Sequence, residues 1–408
     1  MPIAEARAAA IRPAPHPWVW AVLYFPLGLV FGFPSVALGY LGSRAGLSVS
    51  VIAAIVGMTF LASGWKFVWA PLGDYTLSRK TWYVIAVSLV AIGLVAMTVV
   101  PISARTAPLL SVLTLASTLA ATFIAFATEG LMAHNTTPVT RGRAGGWFQS
   151  GNQFGQTAGG GVALALIKHM PSTWQAGVLL AAVVLACALP LLLVEEPPRP
   201  LGGAPVGARV RDAGRELMLV LRARAGRIAL ILAILPIGTG AAMFLFSAIA
   251  QEFNASADVV SAVLGLGGGV AIVAGCFAGG RLADRVPKPT AYAVSCGLGL
   301  VACVVIALSP RTSAGYAAST LLYTFTLGMV TASFTGLVLA IIGEGAAATK
   351  INLFFALNTL FSLGMLRVVG WVHDAWSTNG MLVTEALVGV VALVFFVLLA
   401  GRVRGSER

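Results

Sequence analysis

Residues 73–80 read GDYTLSRK and residues 279–288 read GGRLADRVPK. Each is a short polar knot of glycine, aspartate and basic side chains set between two long apolar runs. The first follows WKFVWAPL (65–72), in which Lys66 is a lone cation among aromatic and aliphatic residues. Working outward from these knots, stretches of about 20 residues with few charges recur along the chain. There are twelve, roughly 17–41, 48–72, 81–101, 108–132, 144–167, 174–194, 228–250, 259–280, 290–309, 314–342, 350–371 and 380–400. Of 408 residues 58% are apolar and 10% charged, with a mean hydropathy of +0.92. A soluble domain carries about 25% charged residues, so this chain cannot dress a surface for water. Transmembrane β-strands are excluded as well, because they are alternating segments of about ten residues. The sequence predicts an all-α integral membrane protein with twelve transmembrane helices.

The basic residues set its orientation. With both termini cytoplasmic, the loops and tails on that side hold twenty of the 26 Lys and Arg, including seven arginines from Arg199 to Arg227. The opposite loops hold four: Arg44, Arg105, Lys168 and Arg311. Lys66 and Arg367 fall inside spans. The net charge of +12 thus records topology and contact with anionic membrane lipids, and no nucleic-acid partner is needed to explain it. The first span is too long for a signal-peptide core and lacks a small-residue cleavage site behind it, so it is expected to remain as helix one. The four cysteines lie in apolar spans without Cys-x-x-Cys spacing and read as small buried hydrophobes. No phosphate-binding loop, nucleophile elbow or metal-ligand cluster points to an enzyme, and no cofactor or metal is expected.

The longest polar segment, 195–227, opens with Pro and Gly and continues from Arg209 as a basic stretch able to lie on the inner leaflet as an amphipathic helix. It divides the chain into an N-terminal tail (1–16), a six-helix bundle (17–194), the linker (195–227), a second six-helix bundle (228–401) and a C-terminal tail (402–408). The two knots occupy equivalent places in these halves. A second correspondence pairs FQSGNQFG, from Phe148, with FFALNTLF, from Phe354, and aligns Asn152 with Asn358. Two six-helix halves related as parallel repeats, each with a Gly-Asp-basic loop, resemble the major facilitator superfamily of transporters. The resemblance implies that Gly73, Asp74, Arg79 and Lys80, with Asp284 and Arg285, form structural gate elements at the cytoplasmic helix ends. Glycine there allows close packing, and aspartate pairs with cations or caps a neighbouring helix.

Charges that break the repeat are candidates for function. Lys66 aligns with Cys276 and Arg367 with Gly161, so neither serves a duty common to both halves. Lys66 either snorkels to the headgroups or faces a cavity or partner. Glu129, at similar depth in the fourth span, is a possible partner for it; a carboxylate in a semi-dry cavity would exchange protons near neutral pH, and otherwise it is a helix-end acid. Arg367 either binds an anionic substrate through its fork of donors or snorkels outward. Gln149, Asn152, Gln153 and Gln156 recur at i, i+3, i+4 and i+7 and so share one helix face. On a wet cavity these amides would bind sugar hydroxyls or peptide groups; against another helix they would be glue. His134 and Asn135 read as caps ending the fourth helix.

Several segments resemble one branch of that superfamily, the peptide–acetyl-CoA–drug transporters, with its AmpG-type muropeptide permeases and related siderophore permeases. They are LYFPLGLVFGFP (23–34), KFVWAPLGD (66–74), RGRAGGWFQSGNQFGQTAGGGVALALI (141–167) and the sixth span ending in Glu-Pro at 196–197. Where this chain has Gln153 those permeases usually carry Arg, and their fourth helix carries aspartates where this one has Glu129. The resemblance implies that helices one, four, seven and ten line a central cavity, that helix twelve with Glu385 is peripheral, and that the glycine runs at 155–161 and 265–275 meet across the halves. It also implies a monomeric secondary transporter of a bacterial-type inner membrane, importing a polar small-molecule substrate such as a muropeptide, peptide-like compound or siderophore with protons. An exporter of drugs or metabolites, and a non-transporting sensor or assembly factor, are the alternatives.

Overall fold

The computed structural model describes residues 15–64, 77–136, 141–196, 240–342 and 347–405. Lys66, Gly73, Asp74 and all but the first two linker residues lie outside the described residues. For Gln149, Asp284 and Asn358 the helix is described but not the side chain.

Among the described residues there are helices and turns and no strand. In hydrocarbon the backbone has no water to bond, so each apolar run satisfies its own amides and carbonyls as a helix. In the first half these are α1 (Trp18–Arg44), α2 (Val49–Gly64), α3 (Arg79–Val99), α4 (Ala107–Asn135), α5 (141–169) and α6 (Thr173–Leu193). The second half holds α7 (Ala241–Phe253), α8 (257–285), α9 (Lys288–Leu308), α10 (Ser313–Ile342), α11 (Ala347–Trp376) and α12 (Thr378–Gly405). Local chemistry sets several of the ends. Ser78, in extended geometry, caps α3 by accepting from the Thr81 amide, and Ser256 does the same for α8 through Val259. Large apolar side chains such as Leu192 (85% exposed) and Val391 (70%) stand on the outer surface of the bundle. Side chains of that kind belong against lipid.

Within the first half α1 packs along α5, α3 along α4 and α6, and α2 along α4; within the second, α8 and α9 pack along α10, and α12 along α9 and α11. The glycines of α5 are used inside their own half. A methyl added at Gly151, Gly155 or Gly159 would meet the Ala21, Phe25 or Leu29 carbonyl of α1 at 2.1, 2.1 or 1.9 Å. Only further along does the run reach the other half, where Gly161 meets Gly265 and the Ser261 carbonyl of α8.

Three helices widen into π-helical turns: α1 at Phe33–Leu38, α5 at Ala158–Val162 and α8 at Val263–Gly267. The first contains Pro34, which has no amide to donate; the second holds three consecutive glycines; in the third Gly265 leaves helical geometry at φ −82°, ψ −113°. The turn of α5 touches both of the others, so the widened turns gather at the seam between the halves.

Of the seventh span, expected at roughly 228–250, the described part is a series of short pieces: a left-handed Gly240 (φ 66°), a 3-10 turn over Ala241–Leu245, one α-turn and a second 3-10 turn ending at Phe253. Glycine at 240 makes that start possible, since other residues adopt a positive φ at a cost.

Candidate functional site

Polar side chains gather in three places. At the densely basic end, Glu129 of α4 is half-buried, and its Oε1 accepts a bond from the Tyr24 hydroxyl of α1 at 3.3 Å. The Tyr24 ring stacks on Phe148 of α5 at 3.6 Å. Arg79, at the start of α3, lays its guanidinium against Gly130, beside Glu129, and 5.9 Å over the Phe126 ring. Gly130 provides that shelf, because a methyl there would sit 2.5 Å from the guanidinium carbon. The carboxylate of Glu196, just past α6, accepts from the Arg79 and Lys80 amides at 2.8 and 3.1 Å and so caps α3. Asn135 closes α4 by bonding the Leu131 carbonyl and both backbone groups of Glu195; His134 is exposed.

The second place is α5. Asn152, Gln153 and Gln156 are half-buried and come together as their spacing predicts: the Gln156 Nε2 donates to Asn152 Oδ1 at 3.4 Å and to Gln153 Oε1 at 3.2 Å. The same positions approach α1 closely, since a methyl at Gly28 or Gly32 would meet the Asn152 or Gln156 carbonyl at 2.0 or 2.1 Å.

The third is the sparsely basic end, where polar contacts cross between halves. Asp374, ending α11, caps α2 from 324 or more residues away: its oxygens accept from the Val49 and Ser50 amides at 2.9 and 3.0 Å. Lys168 of α5 forms an ion pair with Asp258 of α8. The Gln251 amide donates to Ser43 Oγ at 3.0 Å; deeper in, the Ser247 hydroxyl donates to the Ser35 carbonyl and that of Ser261 to the Gly161 carbonyl, both at 2.6 Å. Behind Asp374 sits a second-half cluster. His373 Nε2 lies 2.6 Å from Glu252 Oε1, its Nδ1 is 3.5 Å from Asp374, and the Thr378 hydroxyl donates to Glu252 Oε2 at 2.6 Å. This cluster holds the α11–α12 joint, a single residue, Ser377, at φ 126°. Arg311 lies 4.3 Å over the Phe253 ring and bonds Asn379.

The electrostatics favour this closed seam. Burial alone would raise the Asp374 carboxyl, but bonds from Ser50, Val49 and Ser48 hold it below the usual carboxylate range. Burial likewise opposes Glu252, which bonds from His373 and Thr378 and the charges of His373 and Arg311 bring below that range. The bond from Lys168 lowers the Asp258 carboxyl. For Asp374 and Asp258, whose partners lie across the seam, the lowered carboxyl favours the closed form above its open-state value, and this contribution is lost as pH falls through the lowered one. The window therefore lies below about pH 4, and these two carboxylates do not themselves titrate around neutrality.

Replacing Asp374 with alanine leaves two α2 amides without their cap. Loss of a helix cap costs about 1–2 kcal/mol, so the seam is expected to open roughly 5- to 30-fold more often. An impermeant maleimide should then label a cysteine at Ser35 correspondingly faster. An unchanged labelling rate would show that Asp374 does not hold the seam.

Of the residues singled out from sequence, the structure joins the three described amides on one face and gives Glu129 a partner on α1. Arg285 is exposed, and Lys288 bonds back to the Ala283 carbonyl. Arg367 is exposed beside Val368 and Trp371. The seam residues Asp374, Glu252, His373 and Asp258, and the cap Glu196, were missed. The one available signal was Lys168, an isolated cation in an otherwise sparsely charged set of loops. Among the described residues no His, Cys, Asp and Glu are grouped to hold a metal.

The model of the Major Facilitator Superfamily matches residues 20–363. A bacterial homolog of the human lysosomal transporter Spinster, in an inward-facing and unoccupied conformation, superposes with a TM-score of 0.73 at 15% identity, over 95% of this chain and 97% of its own. The nucleoside transporter NupG superposes with a TM-score of 0.70 at 13% identity, over 93% of this chain and 98% of its own. Likeness at these identities shows the fold. No curated protein sequence matches the chain.

Proposed function

Because the chain belongs to the major facilitator superfamily, whose members are multi-pass membrane transporters, we propose that it is a secondary transporter importing a polar organic solute with protons. The observation that supports this reading is the seam at the sparsely basic end, which the charge bias assigns to the outside. There α2 packs along α11, and the polar ties between the halves are individual contacts, a surface ion pair and a helix cap, each worth about 1–2 kcal/mol or less. Contacts of that size break and re-form readily, as alternating access requires. A polar solute fits the amide face of α5, which suits sugar hydroxyls and peptide groups better than the aromatic, apolar cavity expected of a drug exporter; import is taken from the branch resemblance. Muropeptides, peptide-like compounds and siderophores are the solute classes that the branch resemblance suggests, and nucleosides enter through the neighbour NupG. Lys66, Glu129, Gln149, Asn152, Gln153, Gln156, Asn358 and Arg367 are the residues assigned to substrate or coupling. Gly73, Asp74, Arg79, Lys80, Asp284 and Arg285 are assigned to the gate.

The test joins the seam covalently. A compound that raises the melting temperature of the purified protein, chosen from those four classes, is offered to vesicles containing Lys168→Cys/Asp258→Cys. Oxidation is expected to lower uptake at least about tenfold, because transport then lacks a conformational step it must pass through, and reduction to restore it. Uptake unaffected by a confirmed cross-link, or a bound compound that never crosses, would favour the sensor or assembly-factor reading.

A further inference from the structure

The second half contains a buried acid, Glu385, that lies outside all three polar clusters. Glu385 lies about two turns into α12 and is 7% exposed, not peripheral as the fold resemblance implied. Its Oε1 accepts from the Tyr323 hydroxyl of α10 at 2.8 Å, and its Oε2 from the Ala242 amide of α7 at 3.1 Å. The Ala241 amide also bonds it. A cavity of about 30 Å³ opens beside the carboxylate, lined by Gly240, Cys303, Thr326 and Gly389 among others. That is room for a water or a small cation, a water needing about 10–15 Å³ of such space.

Facing Glu385 are Tyr323 and Thr326 from α10, Cys296 and Cys303 from α9, backbone amides from α7 and Gly389 from α12 itself. Among the described residues lining the site there is no Lys, Arg or His. An ionised carboxylate withdrawn from water is strongly disfavoured unless a positive charge accompanies it. Neutral donors soften this but supply no charge. The bonded groups thus suit the ionised acid, while the missing countercharge and the adjoining space suit a cation that comes and goes.

We propose that Glu385 and its cavity form a cation site of the second bundle, which takes a proton or, in its place, a sodium ion. The same carboxylate holds the first turn of α7 after Gly240, so occupancy changes the bond that anchors that helix. The site deepens the transporter reading and rests on it for its purpose; the binding itself is read in purified protein without any solute, so either can fail alone.

The experiment is infrared difference spectroscopy of the purified protein, titrated with acid in sodium or choline chloride. A carboxyl C=O band is expected to grow on acidification and to vanish in Glu385→Gln. If sodium competes, sodium chloride lowers the band at fixed pH; if the site takes protons only, the two salts give one curve. Tyr323→Phe, which keeps the acid but removes one donor, is expected to shift the band and its titration, and it assigns the band should Glu385→Gln fail to fold. A Glu385 band of constant intensity at every pH, or none at any pH in either salt, would show a permanently neutral or permanently ionised cap and overturn the proposal.

Discussion

Leucine in place of Gly155 is expected to separate α1 from α5 and leave little folded protein. The Cβ alone would sit 2.1 Å from the Phe25 carbonyl oxygen, 2.9 Å from the Leu29 amide and 3.0 Å from the Gly28 Cα. All three are backbone atoms, which cannot swing aside as the tip of a side chain can. Gly28 and Gly32 approach α5 from the other side just as closely, so the pair has no slack to share. Helices in lipid are held by such close packing and by hydrogen bonds, since burial from lipid brings no hydrophobic gain. Overpacking in a well-filled interior costs about 1–3 kcal/mol when side chains can move, and fixed backbone places this case above that range. Size-exclusion chromatography and thermal unfolding of the purified variant would read the effect. Gly364→Leu is the control, as a methyl there meets nothing within 4 Å. Equal melting temperatures for Gly155→Leu and the control would refute the packing argument.

Loss of uptake is the expected result for Lys66→Ala, and loss of proton coupling with uptake retained for Glu129→Gln. Glu129 stands where α1, α4 and α5 converge, bonded by Tyr24, with the Arg79 guanidinium along the neighbouring turn. Lys66 precedes Asp74 by eight residues and is placed by its span at matching depth; the pairing of the two is a proposal. An unpaired charge in a membrane span costs roughly 2.5–3.5 kcal/mol on insertion scales. Glu129→Gln, which leaves the lysine in its span without the carboxylate proposed to pair with it, should therefore harm expression more than removing both. The double variant is expected to recover expression but not coupled transport, measured as uptake with and without a proton gradient. Normal uptake by Lys66→Ala with an unchanged pH profile would mean that the lysine only snorkels.

Much of the architecture was legible from short-range chemistry. Runs of about 20 apolar residues announce helices, because the bilayer leaves the backbone no other way to satisfy itself. The repeated knots at 73–80 and 279–288 pointed to two halves, and the orientation given by the charge bias stands as a proposal. The 3.6-residue period placed Asn152, Gln153 and Gln156 on one face, and there they are found bonded together. The partners of that face were not legible. The glycine run on α5 could have met either half, and most of it meets α1.

Tertiary structure alone decided which helix faces look inward. In a soluble helix, polar residues mark the exposed side. In this chain lipid and protein interior are equally apolar, so a stripe such as Leu382, buried, and Val383, exposed, carries no mark of its environment. For that reason Glu385 could be read as peripheral when it is enclosed by α7, α9 and α10. The same limit hid the seam. Asp374 reads in sequence as one more acid at a helix end, and only the folding of the second half against the first brings it to the Val49 and Ser50 amides.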